Sequence, residues 1–362
     1  MRGRRSPWLA VLALLWAGLA LAAAPAQYAV VEPGRTLEFP RDFGAHPDYR
    51  TEWWYITGWL ADDAGTARGF QVTFFRVRTL RGEHNPSLFA PRQLILAHAA
   101  VSDPQLGRLR HAERVARALP PLAEVSSGGH VAARLGDWSL LQHADGHYST
   151  HAGGEDFSFA LDFTTTAPPV LRGDTGFSQK TADPRNASHY YSRPQLAVQG
   201  TLTLAGAPRT VHGVAWLDHE WSSEILPPEA RGWDWVGLNL DDGSSLMAFQ
   251  MRDHAGRALW ATAHLVPPEG GAGTRSAPHE VAWTARRHWR SPRTGIDFPV
   301  AWQLRAGDRT FELEPLFDDQ ELDSRASTGA VYWEGAVRVL EHGQPVGRGY
   351  LEMTGHGERL TM

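Results

Sequence analysis

Residues 53 to 65 read Trp-Trp-Tyr-Ile-Thr-Gly-Trp-Leu-Ala-Asp-Asp-Ala-Gly, and residues 70 to 76 continue Phe-Gln-Val-Thr-Phe-Phe-Arg. The arrangement returns at residues 233 to 243 as Trp-Asp-Trp-Val-Gly-Leu-Asn-Leu-Asp-Asp-Gly, followed by Met-Ala-Phe-Gln-Met-Arg at 247 to 252. Two related halves follow from the repeat. Each half also closes alike: residues 200 to 213 lead into Val-Ala-Trp-Leu-Asp-His-Glu-Trp, and residues 335 to 349 lead into Tyr-Leu-Glu-Met-Thr-Gly-His. Aligning Gly213 with Gly349 sets Asp218, His219 and Glu220 against Thr354, Gly355 and His356, which leaves an acid-base set in the first copy alone. Groups that merely held the fold together should be needed in both copies, so the asymmetry points to function.

Working outward from the repeat, Gly and Pro punctuate the chain at short intervals, and the runs between them are rich in Val, Thr, Phe, Tyr and Trp, the composition of strands. Residues 157 to 163 and 196 to 204 alternate at the period of two that half-buried strands require. Helical expectations are confined to Ala112 to Ala118 and a turn near Arg92 to Leu96. The pattern predicts an all-β chain of two tandem antiparallel barrels or sandwiches. We expect the boundary near residues 222 to 231, where Ser222-Ser223-Glu224 gives way to Pro227-Pro228, dividing the mature chain into 27–225 and 226–362. Long polar loops at 80–92 and 173–188 are expected at a barrel mouth, where ligands enter.

Residues 1–26 carry Arg2, Arg4 and Arg5, an apolar stretch from Trp8 to Leu21 and a small-residue end, the order of a secretory signal. No later segment approaches the roughly 20 apolar residues of a membrane-spanning helix. Without cysteine, the exported chain must be stable without disulfides, and we expect a soluble periplasmic protein. Removing the three leader arginines leaves 32 basic against 40 acidic residues, a net charge near −8 that argues against nucleic acid as partner.

Treated as a strand, residues 213 to 221 place His219 and Trp221 with Gly213, Ala215 and Leu217 on an apolar inner face, and turn Trp216, Asp218 and Glu220 toward an outer or inter-domain surface. The same parity puts Glu52 and Trp54 inside the first barrel. A carboxyl in such surroundings is disfavoured as an anion, so Glu52 is expected to stay protonated and serve as an acid. Competing with this are blander roles: a His–Trp pair packed for structure, a carboxylate capping a strand entrance, and aromatic core packing for Trp53, Trp54, Trp59, Trp233 and Trp235. Tyr190, Tyr191 and Ser192 are candidates to line a mouth.

Other chemistries find little support. The run beginning His219-Glu220 lacks the second histidine of a zinc-protease helix, so no metal is expected. No Gly-x-Ser-x-Gly elbow occurs, and without a Gly-x-Gly-x-x-Gly or phosphate loop no cofactor is expected.

Together, Glu52-Trp53-Trp54-Tyr55, residues 173 to 178, Tyr190-Tyr191-Ser192 and Trp216-Leu217-Asp218-His219-Glu220-Trp221 resemble the AttH and CrtC family over residues 39 to 355. The resemblance implies two lipocalin-like domains in a secreted protein. It also brings three activities into view: hydration of a carotenoid alkene, an accessory role beside an ABC exporter, and the label of predicted secreted hydrolase. In the hydratase branch an acid protonates a terminal alkene and water captures the cation. By resemblance, His219 would position or deprotonate that water and Trp221 would stabilise the cation, while Phe249 stands where the hydratases have a tyrosine. The expected ligand is a hydrophobic small molecule such as a polyene or lipid. Catalytic expectations fall on Glu52, Asp218, His219, Glu220 and Trp221, and substrate contacts on Trp54, Tyr190, Tyr191, Ser192 and Trp216.

Overall fold

The structure is a computed structural model that describes residues 27–165 and 167–359. The leader expected at residues 1–26 lies outside the described residues.

Among the described residues the chain is all-β. Thirteen strands between Thr51 and Glu224 form one antiparallel sheet, and ten between Ala230 and Met353 form a second. Each sheet curls around its own apolar interior. Alternating residues of Phe157–Thr164 are buried and exposed in turn, as their period of two requires. No helix among the described residues is long and apolar enough to cross a membrane.

Two local expectations fail in the same way. Residues 112 to 118 and 92 to 96, read as helical or turn-like, lie largely in the paired strands Arg108–Arg117 and Gln93–Asp103, where Ala99 faces Ala112. Alanine favours a helix only weakly, and the ladder offered by a neighbouring strand overrides that preference.

Strand register revises the alignment of the halves. Thr51–Asp62 lies between Ala67–Arg78 and Ala207–Glu224, with Leu60 facing Gly213 and Trp53 facing Phe75. In the second half Ala230–Leu240 lies between Ser245–Asp253 and Gln344–Met353, with Leu240 facing Gly347 and Trp233 facing Met251. With Trp53 matched to Trp233, the structural equivalent of Gly213 is therefore Gly347, two residues before the glycine chosen from sequence. Asp218 then corresponds to Glu352 and His219 to Met353. The strands beside them carry Tyr190-Tyr191-Ser192 and Tyr332-Trp333-Glu334 at matching positions. The second half has its own acid.

The two sheets meet face to face through side chains that point out of both barrels. Tyr55, Trp59, Tyr190 and Trp216 of the first sheet pack with Trp235, Met247, Phe249 and Tyr350 of the second. The Trp59 indole N–H donates to the Gly349 carbonyl at 2.9 Å, and Asn239 reaches the Ala215 carbonyl at 3.1 Å. Each large side chain buried here contributes about 1.5–3 kcal/mol, so the sheets are held as one body by apolar contact with a few anchoring hydrogen bonds.

Candidate functional site

Alternation along Ala207–Glu224 sends neighbouring residues into two different interiors. His219 and Trp221 enter the first barrel and Asp218 and Glu220 enter the space between the sheets.

Inside the barrel, His219 is fully buried. Its Nε2 lies 2.9 Å from Glu52 Oε1 and its Nδ1 3.1 Å from the Tyr191 hydroxyl. A neutral ring satisfies both by donating from Nε2 and accepting at Nδ1. Trp54 stacks on one side at 4.5 Å, and Trp221 lies at 4.8 Å. Burial holds His219 down to about 4 despite the Glu52 carboxylate. Glu52 is also bonded by Arg76 at 2.9 Å, the His46 backbone N–H and the His46 ring. Burial alone would raise its pKa, but the hydrogen bonds from His219 and His46 and the charge of Arg76 win and hold it well below the usual carboxylate range. Glu52 is therefore an anion, which corrects the expectation of a protonated acid: desolvation was anticipated, but its three cationic or donating partners were not.

His46, Glu52 and His219 offer ligand atoms within 4.8 Å of one another. Yet His46 Nδ1 faces Glu52 and its Nε2 faces Asp42 at 3.1 Å. Although burial opposes it, those two carboxylates raise His46, and each of its ring nitrogens is turned to a carboxylate oxygen. The second half builds a comparable knot, in which Asp234 accepts from Arg252 at 2.8 Å and meets His356 at 2.8 Å. Arg252 is the equivalent of Arg76 in strand register. Only the arginine is shared in register, since Gly232 stands where Glu52 does and Asp234 where Trp54 does.

Between the sheets lies a cavity of about 270 Å³. Its surface is largely apolar, with Trp53, Tyr55 and Phe75 from the first sheet facing Trp233, Trp235 and Phe249 from the second. Five charged side chains beyond Glu52 and Arg76 border it: Asp218, Glu220, Lys180, Glu334 and Glu352. Lys180, the only lysine of the chain, lies 2.5 Å from Glu220 and 5.0 Å from the rings of Tyr190 and Phe249. Asp218 accepts from Tyr190 at 2.7 Å, Ser192 at 2.5 Å and Trp216 at 2.7 Å. Burial nevertheless outweighs these donors and pushes Asp218 up to about 6. Glu352 is pushed up to about 7, chiefly by burial, and Glu334 is raised well above its ordinary value by burial and by the neighbouring Glu352. The Tyr55 hydroxyl and Glu334 Oε2 are buried without partners.

The sequence-derived set is thus split. Asp218 and Glu220 border the cavity; Glu52 borders it too, but its carboxylate is engaged by the inner knot. Tyr190, Ser192 and Trp216 stand behind Asp218 and fix its orientation. His219, Trp221, Trp54 and Tyr191 belong to the first barrel's interior. Glu334, Glu352 and Lys180 were missed, and Glu352 emerges as the counterpart of Asp218 only when cross-strand pairing matches Gly213 to Gly347.

A family model described as AttH-like matches residues 30–356. The crystal structure of a protein provisionally named AttH from Nitrosomonas europaea is 48% identical, covers 91% of this chain and 99% of its own, and superposes with a TM-score of 0.85. Kievitone hydratase from Nectria haematococca shares the fold at 15% identity and a TM-score of 0.65, over 91% of this chain and 96% of that one. CghA in complex with Sch210972 does so at 14% identity and 0.54, over 93% and 97%. No curated protein matches the chain.

Proposed function

The chain belongs to the AttH-like family, and from that premise we propose that it is a periplasmic protein that takes a hydrophobic small molecule into the cavity between its sheets and hydrates or hydrolyses it by cofactor-free acid-base chemistry. One observation carries the proposal: a cavity with aromatic walls bordered by carboxyls whose pKa values are raised by burial. Acids that retain protons near neutrality can donate them where water is scarce, and once ionised they can orient or deprotonate an attacking water. The aromatic wall supplies faces on which a cationic intermediate would be stabilised. In this assignment Asp218 is the acid-base group of the first sheet, held by Tyr190, Ser192 and Trp216. The knot around His219 keeps the strands rigid behind it.

The test is extraction and mass spectrometry of whatever organic ligand accompanies the purified mature chain, followed by incubation of that compound with protein in isotopically labelled water. Incorporation of labelled oxygen into the product supports hydration or hydrolysis. A bound ligand returned unaltered would mean a carrier, such as the accessory of an export system, and no ligand at all would remove the cavity as a binding site.

A further inference from the structure

Glu334 and Glu352 stand directly opposite each other on adjacent strands of the second sheet. Both border the cavity. Glu352 Oε1 accepts the Trp233 indole N–H at 2.8 Å, whereas Glu334 Oε2 is buried with no partner. Two carboxyls adjacent in an apolar wall cannot both ionise, because each charge adds to the desolvation cost of the other. The Trp233 donor favours charge on Glu352, so the proton resides on Glu334. Nothing facing the pair changes this balance. Asp218 and Glu220 are further acids, Lys180 is committed to Glu220, and burial keeps the phenols of Tyr55, Tyr332 and Tyr350 neutral.

We infer that Glu334 and Glu352 share one proton and present it, through Glu334, to an uncharged oxygen acceptor, a carbonyl or hydroxyl, at one end of an apolar ligand. The inference rests on the cavity being the ligand site and adds the chemistry of the ligand's polar end. A carboxylate end would face four acids and a single, already paired ammonium. A hydrocarbon would leave the Glu334 proton unsatisfied, and burial without a partner is costly.

The test compares three probes with one skeleton and different ends, all-trans-retinal, retinoic acid and retinylamine, by quenching of tryptophan fluorescence in the mature protein. Retinal should bind at least tenfold more tightly than retinoic acid, in line with one buried hydrogen bond gained and one charge excluded. Glu334→Leu should weaken retinal about tenfold. Glu334→Gln, which keeps a donor at the uncharged member of the pair and leaves the charge on Glu352, should preserve the preference for aldehyde over acid. In parallel, infrared titration of the protein alone should show one protonated carboxyl near neutral pH, and Glu334→Gln should make the remaining glutamate ionise at lower pH. Equal binding of retinal and retinoic acid, or a preference for retinylamine, overturns the inference while leaving the cavity as a ligand site. Absence of quenching by all three, with the shared proton still present, overturns the cavity reading itself. An infrared titration that Glu334→Gln and Glu352→Gln both leave unchanged shows that the pair does not share a proton.

Discussion

Asp218 and His219 are consecutive in sequence and face different interiors: the carboxyl borders the cavity between the sheets, and the imidazole is locked to Glu52 and Tyr191 inside the first barrel. Strand alternation alone produces this division, and it separates two effects that a segment such as Asp-His-Glu-Trp would otherwise mix.

Substitution at the two positions should therefore give opposite profiles. His219→Ala removes a ring packed between Trp54 and Trp221 and strips a partner from a buried anion, so it should cost about 2–5 kcal/mol in denaturant unfolding. Asp218→Asn keeps the volume and should lower turnover of the extracted ligand well beyond its effect on stability. A stable His219→Ala protein that has lost turnover would return the imidazole to the reaction.

Stability should fall on the alkaline side because of the glutamate pair. Folding raises Glu352 from 4.5 to about 7, and burial beside Glu352 raises Glu334 well above 4.5. The unfolded chain releases these protons from pH 4.5 upward while the folded one retains them, so stability is fully present below 4.5 and drains away as pH rises through 7. Glu334→Gln should therefore raise the thermal midpoint at pH 8 relative to the parent protein and change it little at pH 4.5, as measured by calorimetry across pH.

On the acid side, four buried histidines act together. Burial lowers His98, His189, His219 and His264 from 6.5 to about 4. The unfolded chain takes up protons between those values while the folded chain refuses them, and each group removes up to about 1.4 kcal/mol of stability per pH unit in that window. His46 opposes them, since its raised value adds stability that is present below 6.5. His189 has no hydrogen-bond partner on either ring nitrogen, so His189→Leu should flatten the acid limb without sacrificing a bond. An unchanged slope of thermal midpoint against pH between 6.5 and 4 would rule this out.

How much the sequence disclosed follows from how local each feature is. Alternating strands and the division of Asp218 from His219 depend on a period of two and were legible. Ionisation of Glu52 depends on Arg76, His46 and His219, which come together only when three strands and a loop meet, and no spacing records that. The Glu334–Glu352 pair was hidden by a two-residue error of register. The repeat contains several glycines, and only cross-strand pairing shows which of them matches Gly213.

That register can be tested directly through the glycines. A Cβ built on Gly213 would lie 1.8 Å from the Trp59 carbonyl oxygen, and one on Gly347 would lie 2.6 Å from that of Asn239. Trp59 and Asn239 are themselves equivalent once Trp53 is matched to Trp233. Both obstacles are backbone in a central strand pair, so neither can move aside as a side chain would. Gly213→Ala should accordingly cost more than about 4 kcal/mol or abolish folding, and Gly347→Ala should be severe but milder. Chemical denaturation of the two variants measures this, and a Gly213→Ala protein as stable as its parent would mean that the close approach of these strands, and the equivalence built on it, is wrong.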